Sequence, residues 1–92
     1  MSVAETIRRK LIAEFAPLEL AVEDESARHA GHSGARSEGE THFRVRIVSA
    51  AFEGLPRVER QRRVYAALSV ELRDRVHALA LTTLAPAEKS RA

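Results

Sequence analysis

The sequence predicts an α+β domain in the order αββααβ, with helices on one face of a mixed three-stranded sheet. Three observations carry this. An apolar stripe at helical spacing runs between a capping signal and a proline, three segments alternate in polarity, and a long amphipathic stretch separates the second of these from the third. That connection is long enough for a right-handed crossover, so the second and third strands are expected to be parallel. Packing the helices on one face of the sheet is the simplest way to bury every stripe.

Residues 2–15 read as the first helix. Ser2 and Glu5 have the S-x-x-E spacing of a capping box, in which each side chain satisfies a backbone donor of the other. Val3, Ile7, Leu11 and Phe15 recur at i+4 and form one stripe. Pro17 forbids continuation, since it lacks an N–H and restricts the residue before it. Leu18, Leu20 and Val22 then alternate with Glu19, Ala21 and Glu23, the period of a half-buried strand. Residues 24–41 carry almost no large apolar side chain and hold Gly31, Gly34 and Gly39. They read as a long loop or a hairpin with a wide tip, and loops beyond about 12–15 residues in compact domains are often functional. His29 and His32 lie within it, and His42 stands at its far end.

His42 to Val48 is the second strand, with Phe43, Val45 and Ile47 on one side and Arg44 and Arg46 on the other. The two arginines are expected opposite Glu19 and Glu23, as cross-strand pairs on a solvated face. Ser49 to Phe52 reads as one helical turn ended by Gly54. Pro56 suits the first helical position, and a helix is expected to run to about Asp74. Its apolar side uses Val58, Tyr65, Leu68 and Leu72, broadened by Val64 and Ala67; its outer side carries Arg57, Glu59, Arg60, Arg62 and Arg63. The last strand, Val76 to about Thr83, puts Leu79 and Leu81 on one face and Ala78 and Ala80 on the other. Residues 1–86 therefore form a single domain, and 87–92 a polar C-terminal tail. No internal repeat is present.

Composition narrows the function classes. Ninety-two residues and 10.2 kDa leave little room for an internal cavity, because a chain this short buries only about 60–65% of its unfolded surface. Fifteen Lys+Arg against thirteen Asp+Glu give +2, too even a balance for an electrostatic footprint on nucleic acid by itself. Cysteine is absent. Disulfides, a thiol nucleophile, Cys-based zinc sites and a self-contained Cys₄ cluster are thereby excluded. No apolar run reaches the roughly 18 residues of a membrane-spanning helix, and the start lacks a secretory pattern, so a cytoplasmic protein without a membrane partner is expected.

No catalytic signature surrounds Ser26, Ser33 or Ser37, and adjacent Asp24 and Glu25 point to opposite sides of a strand, so a non-enzymatic protein is expected. The histidines carry more. His29-x-x-His32 is a two-ligand spacing suited to a loop, and neutral imidazole binds Fe, Zn and Cu. His42, directly before Phe43, reads as a polar residue at a strand edge. His77 reads either as a rim residue of the third strand or as a ligand presented at its end. Nucleic acid is the other candidate: Arg57, Arg60, Arg62 and Arg63 open the long helix after the turn at Gly54-Leu55-Pro56, as a recognition helix follows its turn. Glu59 interrupts that cluster, and no aromatic platform accompanies it. The element order also suits a KH-like module, but its G-x-x-G clamp is missing, since Gly54-Leu55-Pro56-Arg57 ends in Arg.

Taken in order, several segments resemble the BolA family. They are Gly39-Glu40-Thr41-His42-Phe43-Arg44-Val45, Val48-Ser49 with Phe52-Glu53-Gly54, Arg60-Gln61-Arg62 through Leu68 with Glu71-Leu72, and Val76-His77-Ala78-Leu79-Ala80-Leu81. The resemblance runs from about Glu5 to Pro86 and implies a class II KH-like αββααβ domain. It also implies a monothiol glutaredoxin partner and a bridging 2Fe–2S cluster shared with that partner and glutathione, in iron–sulfur assembly, trafficking or iron homeostasis. By resemblance His77 supplies one ligand and a histidine of the loop between the first two strands another. His29 corresponds best, and His32 is the nearby substitute. Two imidazoles on one iron is the Rieske-type arrangement, and it requires thiolates from elsewhere. Alone, the chain is expected to hold no cofactor and to be a monomer or weak homodimer. The family's other implied role is transcriptional regulation, with DNA contacts around Gly54 to Arg63.

Overall fold

A computed structural model describes residues 2–26 and 41–91. Helix α1 spans Val3–Phe15, strand β1 Glu19–Asp24 and strand β2 His42–Val48; a 3₁₀ turn, Ala50–Phe52, leads to α2 at Arg57–Ala67 and α3 at Ser69–Asp74; strand β3, Ala78–Leu84, runs into a final 3₁₀ turn, Pro86–Arg91. The sheet order is β1-β2-β3, with β1 antiparallel and β3 parallel to β2. Fold class, element order and strand directions are those expected from the sequence.

At the start of α1 the Ser2 half of the expected capping box forms, and the helix ends ahead of Pro17 as expected. Ser2 Oγ accepts the Glu5 N–H at 3.0 Å, covering one of the backbone donors a helix start leaves open. At the other end Ala16 turns into the left-handed region (φ 42°) ahead of Pro17, its N–H closing on the Ile12 carbonyl. The stripe Val3, Ile7, Leu11 and Phe15 is buried to the last residue. It meets Phe43, Val45 and Ile47 of β2, with Phe52, Val64 and Leu68 completing the core. The Phe15 and Phe52 rings lie 5.1 Å apart at 44°. Truncating a fully buried leucine such as Leu11 to Ala costs about 2–5 kcal/mol in such a core.

Four details differ from expectation. Leu18 precedes β1 and is 68% exposed, although Leu20 and Val22, which share its parity, pack on the core. The helix after Pro56 is broken at Leu68, which leaves helical geometry (φ −106°, ψ 19°) to sink its side chain into the core, so tertiary packing overrides a continuous helix. The inward face of α2 is set by Arg60, Val64 and Leu68. Val58 and Tyr65 are turned about 100–120° from Val64 at 3.6 residues per turn, and both are exposed. The basic residues of β2 pair diagonally: Arg44 faces Glu23 but bonds Glu25 (3.0 Å), and Arg46 faces Ala21 but bonds Glu19 (2.7 Å).

The segment after Pro86 is also tied into the fold. Glu88 accepts the Ala85 N–H at 2.7 Å and grips the Arg60 guanidinium with both oxygens, at 2.5 and 3.2 Å. Lys89 reaches Glu19 on β1. The boundary expected at residue 86 therefore cuts through a contact network.

Candidate functional site

Two imidazoles meet at one end of the sheet. The parallel register sets His42 opposite Ala78, so His77, one residue before β3, comes beside His42; their ring centroids are 6.1 Å apart and close to perpendicular (73°). The backbone beneath them is fixed from several sides. The buried Thr41 carbonyl accepts the N–H groups of His77 (2.7 Å) and Ala78 (3.2 Å), and the His42 carbonyl accepts that of Glu25 (2.7 Å). On the other flank of His77, Val76 is buried and its N–H binds the Glu71 carbonyl at 2.8 Å. His77 itself is exposed and His42 half-buried.

Thr41 also orients the second ring. Its hydroxyl lies 2.9 Å from His42 Nδ1, a contact that turns Nε2 away from it. On β1's side, Asp24 Oδ1 accepts both the N–H (2.9 Å) and the hydroxyl (2.5 Å) of Ser26, closing the strand with an Asx turn. The chain leaves the sheet at Ser26 and re-enters at Thr41, beside His77. His29 and His32 lie outside the described residues.

The donor set bears on whether a 2Fe–2S cluster suits this end of the molecule. The chain has no cysteine, and among the described residues no three His, Cys, Asp or Glu side chains gather to hold a metal ion. Imidazole nitrogens are the ligands this end offers, and His₂ on one iron is half of a Rieske-type ligand set. A chain without cysteine can bring histidine nitrogen to such a cluster, and any thiolate ligand would have to come from outside it.

The arginines sort differently. Arg60, expected on the outer face, is 8% exposed. Its guanidinium donates to the Leu55 carbonyl (2.8 Å), the Thr83 carbonyl (3.1 Å) and Glu88, with its carbon 6.0 Å from the Phe52 ring centre. Arg57, Arg62 and Arg63 are exposed, and Glu59 sits 3.8 Å from Arg62 and 3.6 Å from Arg63. The outward basic surface is therefore smaller than the sequence suggested. The proximity of His42 to His77 is not legible in the sequence. It depends on the β2–β3 register, for which the polarity pattern gave only the parity of each strand.

Strand order, helices confined to one face and a histidine presented at the start of β3 define a small α+β module without a thiol of its own. The chain matches the model of the BolA-like protein family over residues 11–88. It belongs to that family. Its relatives include SufE-like protein 1, chloroplastic/mitochondrial, of Arabidopsis thaliana, 49% identical over 86 residues. That match covers 89% of this chain and only 23% of the relative. The DNA-binding transcriptional regulator BolA of Haemophilus influenzae is 43% identical, with 96% of this chain and 82% of that protein covered. Among solved structures, the BolA domain of SufE1 from Arabidopsis thaliana superposes with a TM-score of 0.84 at 48% identity, covering 96% of each chain. Among the described residues no helix is long and apolar enough to cross a membrane.

Proposed function

We propose that this chain is a non-enzymatic partner protein that binds a monothiol glutaredoxin and co-ligates a bridging 2Fe–2S cluster. His77 is one ligand, and His29, with His32 as its substitute, is the other. One observation carries the reading: His77 is solvent-exposed on a backbone pinned to Thr41, at the sheet end where the histidine-bearing segment leaves and returns. A ligand presented to a partner must be accessible in the free protein and must not collapse into it, and both conditions are met. The second iron takes its thiolates from the glutaredoxin and from glutathione. The cluster is cargo held between two proteins, in assembly, trafficking or iron homeostasis. The reading sets the complex in the cytoplasm, where glutathione keeps thiols reduced.

Reconstitution tests this. The protein mixed with glutaredoxin, glutathione, iron and sulfide is expected to give a heterocomplex with a Rieske-like visible spectrum, and His77→Ala to abolish that spectrum. An unchanged spectrum in the variant removes His77 from the ligand set.

A second reading, DNA-binding regulation, draws on the exposed Arg57, Arg62 and Arg63 and on the name of the Haemophilus influenzae relative. Phosphate contacts predict that log K falls by about 0.9 per released counterion with log salt. Gel-shift titrations of promoter and random DNA at two salt concentrations decide it; sequence-indifferent binding, or none at physiological salt, ends this reading.

A further inference from the structure

β3 is an edge strand, and its ladder shows which of its backbone groups are left over. The Ala78 N–H goes to the Thr41 carbonyl, and the Leu84 carbonyl receives the Ser49 N–H. In a parallel pair, alternate residues direct both groups to the same neighbour. Ala78, Ala80, Thr82 and Leu84 therefore bond toward β2, while Leu79, Leu81 and Thr83 direct their groups outward. The outward Thr83 carbonyl is taken by Arg60 at 3.1 Å. Among the described residues, no hydrogen bond reaches the outward N–H and carbonyl of Leu79 or Leu81.

Proteins usually blunt such an edge with charge, proline or a bulge. β1, the other edge, follows that rule with Glu19, Glu23 and Asp24. β3 reads Ala-Leu-Ala-Leu-Thr-Thr-Leu and has none of these devices.

The open stretch is complementary to itself. We propose that it is a homodimerisation edge, in which β3 pairs antiparallel with β3 of a second copy of this chain about a two-fold axis at Ala80. In that register Leu79 of each copy stands opposite Leu81 of the other. Each such bonded pair exchanges two hydrogen bonds, so four bonds use every open group of Leu79 and Leu81 in both chains. The non-bonded positions, with Cα atoms about 4.5 Å apart, are Ala80 against Ala80 and Ala78 against Thr82, all small. Ala78 and Ala80 are exposed on the helix-free face, and the half-buried Leu79 and Leu81 meet their counterparts on the helix side.

Charge favours the same occupant. The β3 pairing brings no like charges together, whereas the equivalent pairing of two β1 strands sets carboxylates against carboxylates, and a net charge of +2 gives two copies little long-range repulsion. Arg60, held by Glu88, closes the edge at Thr83 and keeps the shared stretch short. Interfaces burying less than about 1,200 Å² are weak and reversible, so the dimer forms with rising concentration.

The absence of cysteine makes the test clean, because Ala80→Cys carries a single thiol. A Cα separation of about 4.5 Å lies inside the disulfide range of about 4.4–6.8 Å, so under mild diamide oxidation Ala80→Cys is expected to cross-link about tenfold faster than Ala21→Cys, the control on β1. Sedimentation velocity of the unmodified chain is expected to show a dimer that grows with concentration and is lost in Ala80→Glu, which places two carboxylates at the axis. Equal cross-linking of the two cysteine variants, or self-association unaffected by Ala80→Glu, overturns the proposal. A chain that stays monomeric at every concentration also overturns it, leaving the edge to an extended segment of some other protein.

Discussion

The backbone N–H of His77 donates to the carbonyl of Thr41 at 2.7 Å, so the residue just before β3 is fastened to the residue just before β2. The imidazole thus projects from a backbone position that two strands define. Truncating it leaves this bond in place, because the bond belongs to the main chain. His77→Ala is expected to change stability by no more than about 0.5 kcal/mol, as for other exposed positions, while the cluster-bound heterocomplex loses its visible spectrum. Urea unfolding of the apo variant beside spectroscopy of the complex separates a lost ligand from a damaged fold. Run on His29→Ala and His32→Ala, the same pair of measurements identifies the loop contribution.

Backbone conformation gives a prediction independent of any ligand. Gly54 has φ 76° with nothing within 4 Å of where a Cβ would stand, and Ala16 occupies the same left-handed region at φ 42°. A Cβ in that region costs roughly 1–2 kcal/mol, partly offset by the entropy a glycine loses on folding. Gly54→Ala is expected to destabilise by about 1 kcal/mol through strain alone, and Ala16→Gly to be neutral or slightly stabilising. Urea midpoints of the two variants should move in opposite directions or by clearly unequal amounts. A Gly54→Ala chain as stable as the parent contradicts this.

Glu19 makes the pH response predictable in sign. Hydrogen bonds from Lys89 first and Arg46 second hold its carboxyl below the ordinary value of 4.5. A depressed carboxylate contributes stability that is present above the unfolded-state value and lost as pH falls through the lower folded-state value. Lys89→Met removes the larger cause. The variant is therefore expected to be less stable than the parent at pH 7, with the difference shrinking toward zero below pH 4.5 as Glu19 protonates. Urea titrations at neutral and acid pH check it; a gap that widens on acidification is incompatible with the assignment.

What the sequence disclosed, and what it withheld, follows from the range of the interactions concerned. The i+4 stripe from Val3 to Phe15 and the alternation in β2 and β3 are local periodicities, and each named the buried face correctly. Arg60 shows the limit. An arginine beside Arg57, Arg62 and Arg63 reads as solvated, and only the long-range approach of Leu55, Thr83 and Glu88 gives its donors partners inside the fold. Val58 and Tyr65 are exposed for the same reason, since the face of α2 that carries Arg60, Val64 and Leu68 is the one turned inward. His42 and His77 are brought together by strand register, which no composition or spacing within either segment encodes. Periodicity alone leaves His77 open between rim residue and ligand, and the ligand role proposed for it rests on the resemblance to BolA-like proteins.

Arg60 also discriminates between functional readings. Breaking a buried ion pair by removing one partner costs about 3–5 kcal/mol, and the partial exposure of Glu88 (34%) puts Arg60→Ala near the lower figure. The loss comes from stranding the Leu55 and Thr83 carbonyls and the Glu88 carboxylate, and it should appear as a lower urea midpoint. Glu88→Ala is expected to lower the midpoint as well, since it leaves the buried Arg60 guanidinium with carbonyl acceptors but without its carboxylate and takes the acceptor from the Ala85 N–H. If the exposed arginines contact DNA, Arg62→Ala and Arg63→Ala weaken binding at unchanged stability and reduce the salt slope by about one each. Conditions under which the Arg60→Ala variant stays folded should then leave its affinity for DNA close to that of the parent. A DNA-binding defect in folded Arg60→Ala as large as those of the two exposed variants is incompatible with Arg60 as an internal clamp.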